Sequence, residues 1–314
     1  MTVPSRMSIY PAVFSGSITF TQVRAYDIDP ALALNEVYPG GLVDRQAVIE
    51  SHADPRWRLE TQDLQKVFQN VDIATGLCPT SALFQAQVRS HCGIFEGAGE
   101  HVTFSNAGSG FLFVERFTWT QDDPDGAMAY LQYIPFYDGT NKPIFIAQDQ
   151  NLTGTASYNS VFYGGKFVAA NGASVLQTYG LRNLEVDTGI VFSTVRADGD
   201  VYARTGSIIK RQPVITATFI SEDAVRTDPA AGSRRPASFF NGCTASTLYF
   251  YLYRGLECGT RYPLAGTNHI EVSIVAPQWH ISRVSGRDER DVETTWRIMP
   301  VSNDWNLAIN QAVL

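Results

Sequence analysis

A repeated twelve-residue stretch is the feature of this sequence that most constrains its fold, because internal repeats determine architecture before any local motif does. Cys78–Arg89 and Cys243–Arg254 have the same length and carry Cys, Ser, Leu and Arg at matching positions, with a numbering offset of 165 (243 − 78). Both contain a Leu-aromatic pair followed by residues that favour strands. The repeat therefore predicts two equivalent strands, one in each half of the chain.

Shorter echoes follow in the same order, at numbering offsets that range from 148 (158 − 10) to 165 (299 − 134). They are Tyr10–Gly16 with Tyr158–Gly164, Trp57–Asp63 with Ala217–Asp223, Thr118–Thr120 with Gln278–His280, and Ile134-Pro135 with Met299-Pro300. Small loop insertions in a second copy would produce this drift. We predict two copies of one domain, residues 1–150 and 151–314. The alternative is that a β-rich chain matches itself by chance at such short motifs.

The length and composition agree with two globular domains. A chain of 314 residues can form two domains that each bury a core, and 44% hydrophobic with 18% charged residues excludes a disordered chain. No apolar run approaches the ~18 residues that span a bilayer. The first residues lack the apolar segment of a secretion signal, so we expect a protein that is used without export or leaves the cell by another route such as lysis.

Alternating apolar and polar residues predict strands along most of the chain. The exception is 64–71, where apolar residues recur at helical spacing and predict a helix capped by Thr61 or Asp63. A matching short helix is predicted at Ser221–Arg226. Asp198-Gly199 predicts the turn of a long hairpin between Thr188–Ala197 and Asp200–Ile209, whereas Asp27–Asn35 is expected to be a loop or a turn with one helical turn.

The cysteines do not have the spacing of a metal site. A zinc knuckle needs two cysteines separated by two to four residues, and His91 beside Cys92 has no counterpart in the second half, where Glu257 precedes Cys258. Buried free thiols are the favoured interpretation, with a disulfide in each half as the alternative. This applies to the matched pairs Cys78 with Cys92 and Cys243 with Cys258.

No pattern of residues indicates an active site. Asp122, Asp123 and Asp125 could act in acid–base chemistry or cation binding, but this composition is typical of a solvated turn. The chain has no nucleophile elbow, P-loop or metalloprotease motif. We predict no catalytic, cofactor-binding or metal site and no enzymatic activity. The histidines are scattered along the sequence: His52, His91, His101, His269 and His280.

Charge is shared unevenly between the halves. Residues 1–150 carry 17 acidic and 9 basic side chains, a net −8, and residues 151–314 carry 14 and 15, a net +1. A protein that grips nucleic acid would show a concentrated basic excess instead. The asymmetry suits a surface that repels phosphates, two faces that attract each other between subunits, or an ordinary solvated surface.

Each half resembles the tail-tube domain of bacteriophages. The resemblance lies in an early strand pair, a long hairpin, the strand Arg211–Asp223 (RQPVITATFISED) before a helix, and a closing hairpin that ends with Tyr130–Pro143 (YLQYIPFYDGTNKP). It covers most of the chain. It implies a mainly β fold of two tandem β-sandwich or partly closed barrel domains, each with one short flanking helix. The family has no functional site residues to transfer.

The resemblance also implies an assembly. Single-domain tube proteins form six-fold rings, so a two-domain chain would fill the same ring with three copies. The implied partners are other copies of the chain, other tail proteins and viral DNA that passes without specific binding, with no membrane. The implied location is the virion, assembled in the bacterial cytoplasm, and the tube lumen is expected to be acidic and small polar.

Three other functions remain open from the sequence. A double jelly-roll major capsid protein also has two β domains and forms pseudo-hexameric trimers. A tail hub or adaptor protein can be built from the same domain as the tube. A carbohydrate-active β-sandwich enzyme needs paired carboxylates and exposed aromatics, but the aromatics here occupy alternating strand positions where core packing explains them.

Overall fold

Antiparallel strands dominate both halves of the chain. The computed structural model describes residues 6–38, 40, 45–89, 101–106, 108–148, 161–171, 174–178, 180–220, 247–255, 269–286, 292–301 and 307–311. In the first half these form β1 (Arg6–Ile9), β2 (Ala12–Phe14), β3 (Ile18–Phe20), β4 (Val23–Asp29), β5 (Leu32–Val37), β6 (Ala47–Ala53), β7 (Arg56–Thr61), α1 (Leu64–Asn70), β8 (Ala82–Arg89), β9 (His101–Asn106), β10 (Gly110–Thr120), β11 (Met128–Pro135) and β12 (Phe145–Gln148).

The regular elements described in the second half are all strands. They are β13 (Phe162–Asn171), β14 (Ser174–Thr178), β15 (Leu181–Asp187), β16 (Ile190–Val195), β17 (Thr205–Arg211), β18 (Val214–Ile220), β19 (Thr247–Arg254), β20 (His269–Val275), β21 (Gln278–Ser285), β22 (Glu293–Met299) and β23 (Leu307–Gln311). The expectation of a mainly β fold is confirmed.

A central sheet of eight strands runs through both halves in the order β21-β22-β18-β15-β10-β11-β7-β4. Each half adds a sheet of its own: β12-β9-β8-β2-β3, with β1 also paired to β8, and β14-β13-β19-β20-β23. Two hairpins form separate two-stranded sheets, β5–β6 and β16–β17, which we call arm 1 and arm 2. Among the described strands, none of these sheets closes into a barrel.

The two halves have the same strand order. In the central sheet, β4-β7-β11-β10 corresponds to β15-β18-β22-β21, and in the outer sheets β12-β9-β8-β2-β3 corresponds to β23-β20-β19-β13-β14. Each arm is inserted between the first and second strands that its half contributes to the central sheet.

β-Bulges recur at the same ladder positions in the two halves and align them residue by residue. A bulge bends its strand and disrupts the ladder locally, so a repeated bulge marks equivalent geometry. Val23 thereby matches Leu181 and Arg116 matches Arg283, at numbering offsets of 158 (181 − 23) and 167 (283 − 116). The paired bulges are Val23/Ala25 with Leu181/Asn183, Ala33/Leu34 with Val191/Phe192, and Val114/Arg116 with Ile281/Arg283.

This alignment supports one sequence echo and corrects the others. Ile134-Pro135 and Met299-Pro300 hold the same ladder positions. The twelve-residue echo is wrong by one residue, because Phe84 and Phe250 are the buried counterparts, and a one-residue shift exchanges the faces of a strand. The other three echoes are replaced by different residue matches. These are Trp57 with Ile215, Leu112 with Trp279, and Val13 with Val168.

One hydrophobic core extends through both halves. Trp57 and Phe117 from the first half belong to the same buried cluster as Leu184 and Trp296 from the second. Phe117 on β10 lies opposite Val186 on β15, and both are 0% exposed. The halves therefore share a sheet and a core.

Local expectations were met where side-chain periodicity is strong. α1 begins at Leu64 as predicted, and Asp63 is its N-cap residue but makes no side-chain cap bond. Asp27–Asn35 is not a loop, because β4 and β5 extend on both sides of Pro30. The Asp198-Gly199 turn is confirmed. The strands of arm 2 are shorter than predicted at this end, because β16 ends at Val195 and β17 begins at Thr205. Ser221–Arg226 lies outside the described residues.

The base of each arm has a residue with left-handed backbone, and this gives a prediction. Ala31 has φ +41° and its counterpart Gly189 has φ +59°. A Cβ at Gly189 would overlap the backbone carbonyl of Gln212. We expect Gly189→Ala to lower the free energy of unfolding by about 1–3 kcal/mol. The matched control Ala31→Gly should stay within about 1 kcal/mol of the wild type, because strain relief and added chain entropy oppose each other. Urea unfolding measures both, and equal effects would contradict the backbone explanation.

Candidate functional site

The acidic turn between β10 and β11 pairs with neighbouring strands. Asp122 accepts from Arg182 at 3.3 Å and Asp125 from Arg24 at 2.9 Å, while Asp123 Oδ1 accepts the Asp125 N–H at 2.9 Å. The three carboxylates are exposed, and exposed ion pairs contribute about 0–1 kcal/mol each. Their arrangement is that of a solvated turn.

The other candidate residues are not brought together in the part of the chain that the structure describes. Cys78 is a free thiol but exposed, so the prediction of burial is wrong for this residue, which lies in the connection between α1 and β8. Cys92, Cys243, Cys258 and His91 lie outside the described residues. Within them, no group of three His, Cys, Asp or Glu side chains could hold a metal ion. His52, His101, His269 and His280 lie on β6, β9, β20 and β21.

The pKa shifts of the described residues follow from burial, hydrogen bonding and neighbouring charges. Burial raises the pKa of Tyr26 to about 12 and also raises that of Tyr133. Hydrogen bonds from Tyr38 and Arg45 lower the pKa of Glu36. Each shift leaves the group in the charge state that it ordinarily has at neutral pH.

The junction between the halves is a strand pairing with polar and apolar parts. Arg116 on β10 lies opposite Asp187 on β15 and pairs with Glu185 at 3.5 Å. The Arg116 guanidinium also lies 4.5 Å from the ring centroid of Tyr130. Buried Thr188 closes the junction, because its hydroxyl contacts the carbonyl oxygens of Val114 and Glu115 at 2.8 and 2.9 Å.

Arm 2 lies across the first half. Phe192 stacks on Phe111 with ring centroids 4.5 Å apart, and its ring centroid is 6.2 Å from that of Phe136. These rings belong to a second, smaller hydrophobic cluster on the side of the central sheet that faces away from the main core. The arm 2 loop reaches the base of arm 1, where the Ala53 N–H donates to the Val201 carbonyl at 2.9 Å.

This packing gives a prediction for arm 2. We expect Phe192→Ala to destabilise the arm by about 2 kcal/mol, less than a fully buried phenylalanine would cost. Hydrogen exchange of the β16 and β17 amides should accelerate while β18 exchange is unchanged. Val195→Ala on the same arm is the control, because Val195 is 55% exposed. Equal acceleration in both variants would contradict the packing role of Phe192.

Arm 1 has no comparable packing surface among the described residues. Leu34, the counterpart of Phe192, is 53% exposed, and Ile49 is 55% exposed. Further large apolar side chains on this short hairpin are also exposed, and contiguous exposed apolar surface marks interaction sites. They are Leu32, Val37, Tyr38 and Val48.

Both ends of the central sheet are edges. Among the described strands, β4 pairs in this sheet with β7 only and β21 with β22 only. Beside β4 lies a mostly apolar groove of about 460 Å³, bordered by Tyr26, Ile28 and Phe104, in which Phe145 and Ile146 of β12 are 41% and 65% exposed. Unpaired edges are templates for pairing with another chain.

The side of the central sheet that faces away from the core has balanced charge. Outside the bulges, it carries six carboxylates and five arginines among the described residues. They are Asp27, Asp29, Glu60, Glu185, Asp187 and Glu293, with Arg56, Arg58, Arg116, Arg283 and Arg297. The acidic excess of the first half is therefore not concentrated on this face.

The sequence pattern alone did not identify the arms as sites, nor which strands would form the edges of the central sheet. A usable signal was present in arm 1, where apolar residues such as Val48 and Ile49 are adjacent and must point to opposite faces of a strand.

Neither the known protein families nor the curated proteins contain a match to this chain. No helix in the part of the chain that the structure describes has both the length and the apolar character needed to cross a bilayer.

Proposed function

We propose that this chain is a structural virion protein whose rings stack into a phage tail tube that conducts DNA during ejection. One observation carries the proposal: two halves with the same strand order join edge to edge in a single sheet, through β10 and β15. Their counterparts, β21 and β4, are the two strands that end that sheet. Such a head-to-tail contact repeats from chain to chain, and it closes into a ring when the rotation allows. Ring closure also removes exposed strand edges.

In this proposal residues 1–150 and 151–314 are two tail-tube-type units, and three chains form a pseudo-hexameric ring. Three sheets of eight strands would give a 24-stranded barrel. With strands about 4.8 Å apart and tilted by about 35–45°, such a barrel is about 45–50 Å across at the backbone. That width accommodates a DNA duplex after side chains fill the rim.

The open face of the central sheet would line the channel, apart from the end covered by the arms. Its balanced arginines and carboxylates replace the mainly acidic lumen suggested by the resemblance. Without a basic excess, few phosphate contacts can form together, so DNA would pass without tight binding.

The strand order favours this function over a jelly-roll capsid protein. A jelly roll packs the eight strands of one domain into two sheets of its own. Here one sheet instead takes four strands from each half, joined by the pairing of β10 with β15. A tail hub or adaptor built from the same units is the second candidate, because it would use the same edges.

Negative-stain electron microscopy of the concentrated protein tests the proposal. We expect rings with three repeats that stack into tubes. Flat capsomers or shells would support a capsid protein, and single rings that never stack would support a hub. Monodisperse monomers at every salt and protein concentration would refute the proposed assembly.

A further inference from the structure

We infer that β21 of one chain pairs with β4 of a second copy, in the register with which β10 pairs with β15 inside the chain. The inference deepens the proposed ring, and it rests on that function only in taking another copy as the partner. It follows from the alignment of the halves by their bulges, in which β15 matches β4 and β10 matches β21.

The internal register can be transferred directly. Inside the chain, Arg116, Phe117 and Thr118 lie opposite Asp187, Val186 and Glu185. Between chains, the same pairing places Arg283 opposite Asp29, Val284 opposite Ile28, and Ser285 opposite Asp27.

The charges of the internal junction are repeated at the free edges. Arg116 pairs with Glu185 within the chain, and their counterparts are Arg283 and Asp27, a cation and a carboxylate again. Asp187 is matched by Asp29. Arg283 and Asp27 are both exposed, and neither forms an ion pair with another described residue. A second copy would bring opposite charges together, which favours this register over a slipped one.

The apolar side chains of the edges are exposed where their internal counterparts are buried. Val284 is 39% exposed, whereas its counterpart Phe117 is 0% exposed. Ile146 in the groove beside β4 is 65% exposed, whereas its counterpart Ile309 on β23 packs against the main core, where β23 contacts α1. The missing neighbour in each case is the adjoining half, and only a second copy supplies it.

Arm 1 of one copy would have an equivalent packing surface on the second half of the neighbouring copy. Arm 2 packs its Phe192 against Phe136, and the counterparts of these residues are Leu34 and Val301, which are 53% and 41% exposed. This surface is less aromatic than the one on which arm 2 packs inside the chain. Pro30 is the counterpart of Thr188, whose N–H donates to the Glu115 carbonyl at 3.0 Å in the internal junction. Proline has no N–H and cannot make this hydrogen bond. We therefore expect the contact between chains to separate before the junction within a chain does.

Disulfide trapping tests the register. In a full-length background with its four cysteines replaced by serine, Val284→Cys with Ile28→Cys places the thiols on directly opposed residues, within disulfide reach. Mild oxidation should replace the monomer band with a ladder of covalent oligomers that ends at a closed ring. The slipped control, Val284→Cys with Asp27→Cys, directs one side chain to the other face of the sheet and should remain monomeric.

Two results of the cross-linking experiment would overturn the inference. Efficient cross-linking of the slipped control would show a different register, and dimers from Val284→Cys alone would show β21 pairing with itself. Val284→Asp in the native background is a second readout, because it should shift sedimentation to the monomer, and unchanged association would contradict the contact. Cross-linked rings that never stack would leave the inference standing and refute the tube, whereas tubes without cross-links would refute the inference alone.

Discussion

Replacing Trp296 with alanine is expected to lower the free energy of unfolding of the whole chain by about 3–5 kcal/mol, the cost of removing a buried aromatic side chain. Trp296 is 1% exposed. Its ring centroid lies 4.9 Å from that of Trp279, 5.2 Å from Phe219 and 5.4 Å from Phe167. The cavity would therefore remove contacts from two sheets at once.

The shared core determines how this loss is seen. Because residues of both halves form one cluster across a continuous sheet, calorimetry should show a single transition moved to lower temperature. Two independently folding domains would instead leave a second transition at its wild-type temperature, which would contradict the shared core.

A conservative variant separates ring volume from the indole N–H. The Trp296 Nε1 atom is buried without a hydrogen-bond partner among the described residues. Trp296→Phe removes this unpaired donor and keeps most of the packing, so we expect it to cost well under half as much as alanine. Val275→Ala on β20 controls for truncation of an exposed side chain, since Val275 is 51% exposed.

Val186→Asp is expected to break the junction between the halves, at a cost on the order of 4 kcal/mol at neutral pH, because it buries a charge without a partner. Val186 is 0% exposed and lies opposite Phe117 in the middle of the central sheet. Val191→Asp is the matched control, because Val191 lies on arm 2 and is 45% exposed.

The penalty should depend on pH with a defined sign. Burial raises the pKa of the introduced carboxyl in the folded state above its unfolded value of about 3.9. The folded state then binds the proton more tightly, so the penalty relative to wild type is small below the unfolded pKa and grows as pH rises toward the folded pKa. Hydrogen exchange should accelerate first in β10 and β15. Retained protection of these two strands at neutral pH would contradict the junction role.

Local patterns in the sequence predicted the elements in which the spacing of apolar residues matches the period of a helix or a strand. The helix at Leu64 and the strands ending at Pro135 and Met299 lie where apolar spacing placed them. The pattern failed at Asp27–Asn35, where it predicted a loop or a turn with one helical turn and the structure has the strands β4 and β5. There the backbone of β4 is held by β7, a strand that lies beyond arm 1 in the chain, so pairing outweighed local composition.

Side-chain alternation and repetition can be read from neighbouring residues, and they were enough to predict a β-rich chain with two similar halves. The register of that repeat became visible only in the folded chain, as did the joining of β10 to β15, the packing of Phe192, and the exposure of Leu34 and Cys78. Strand partners are chosen by contacts between distant segments, and a slip of one residue exchanges the buried and exposed faces without changing the sequence pattern.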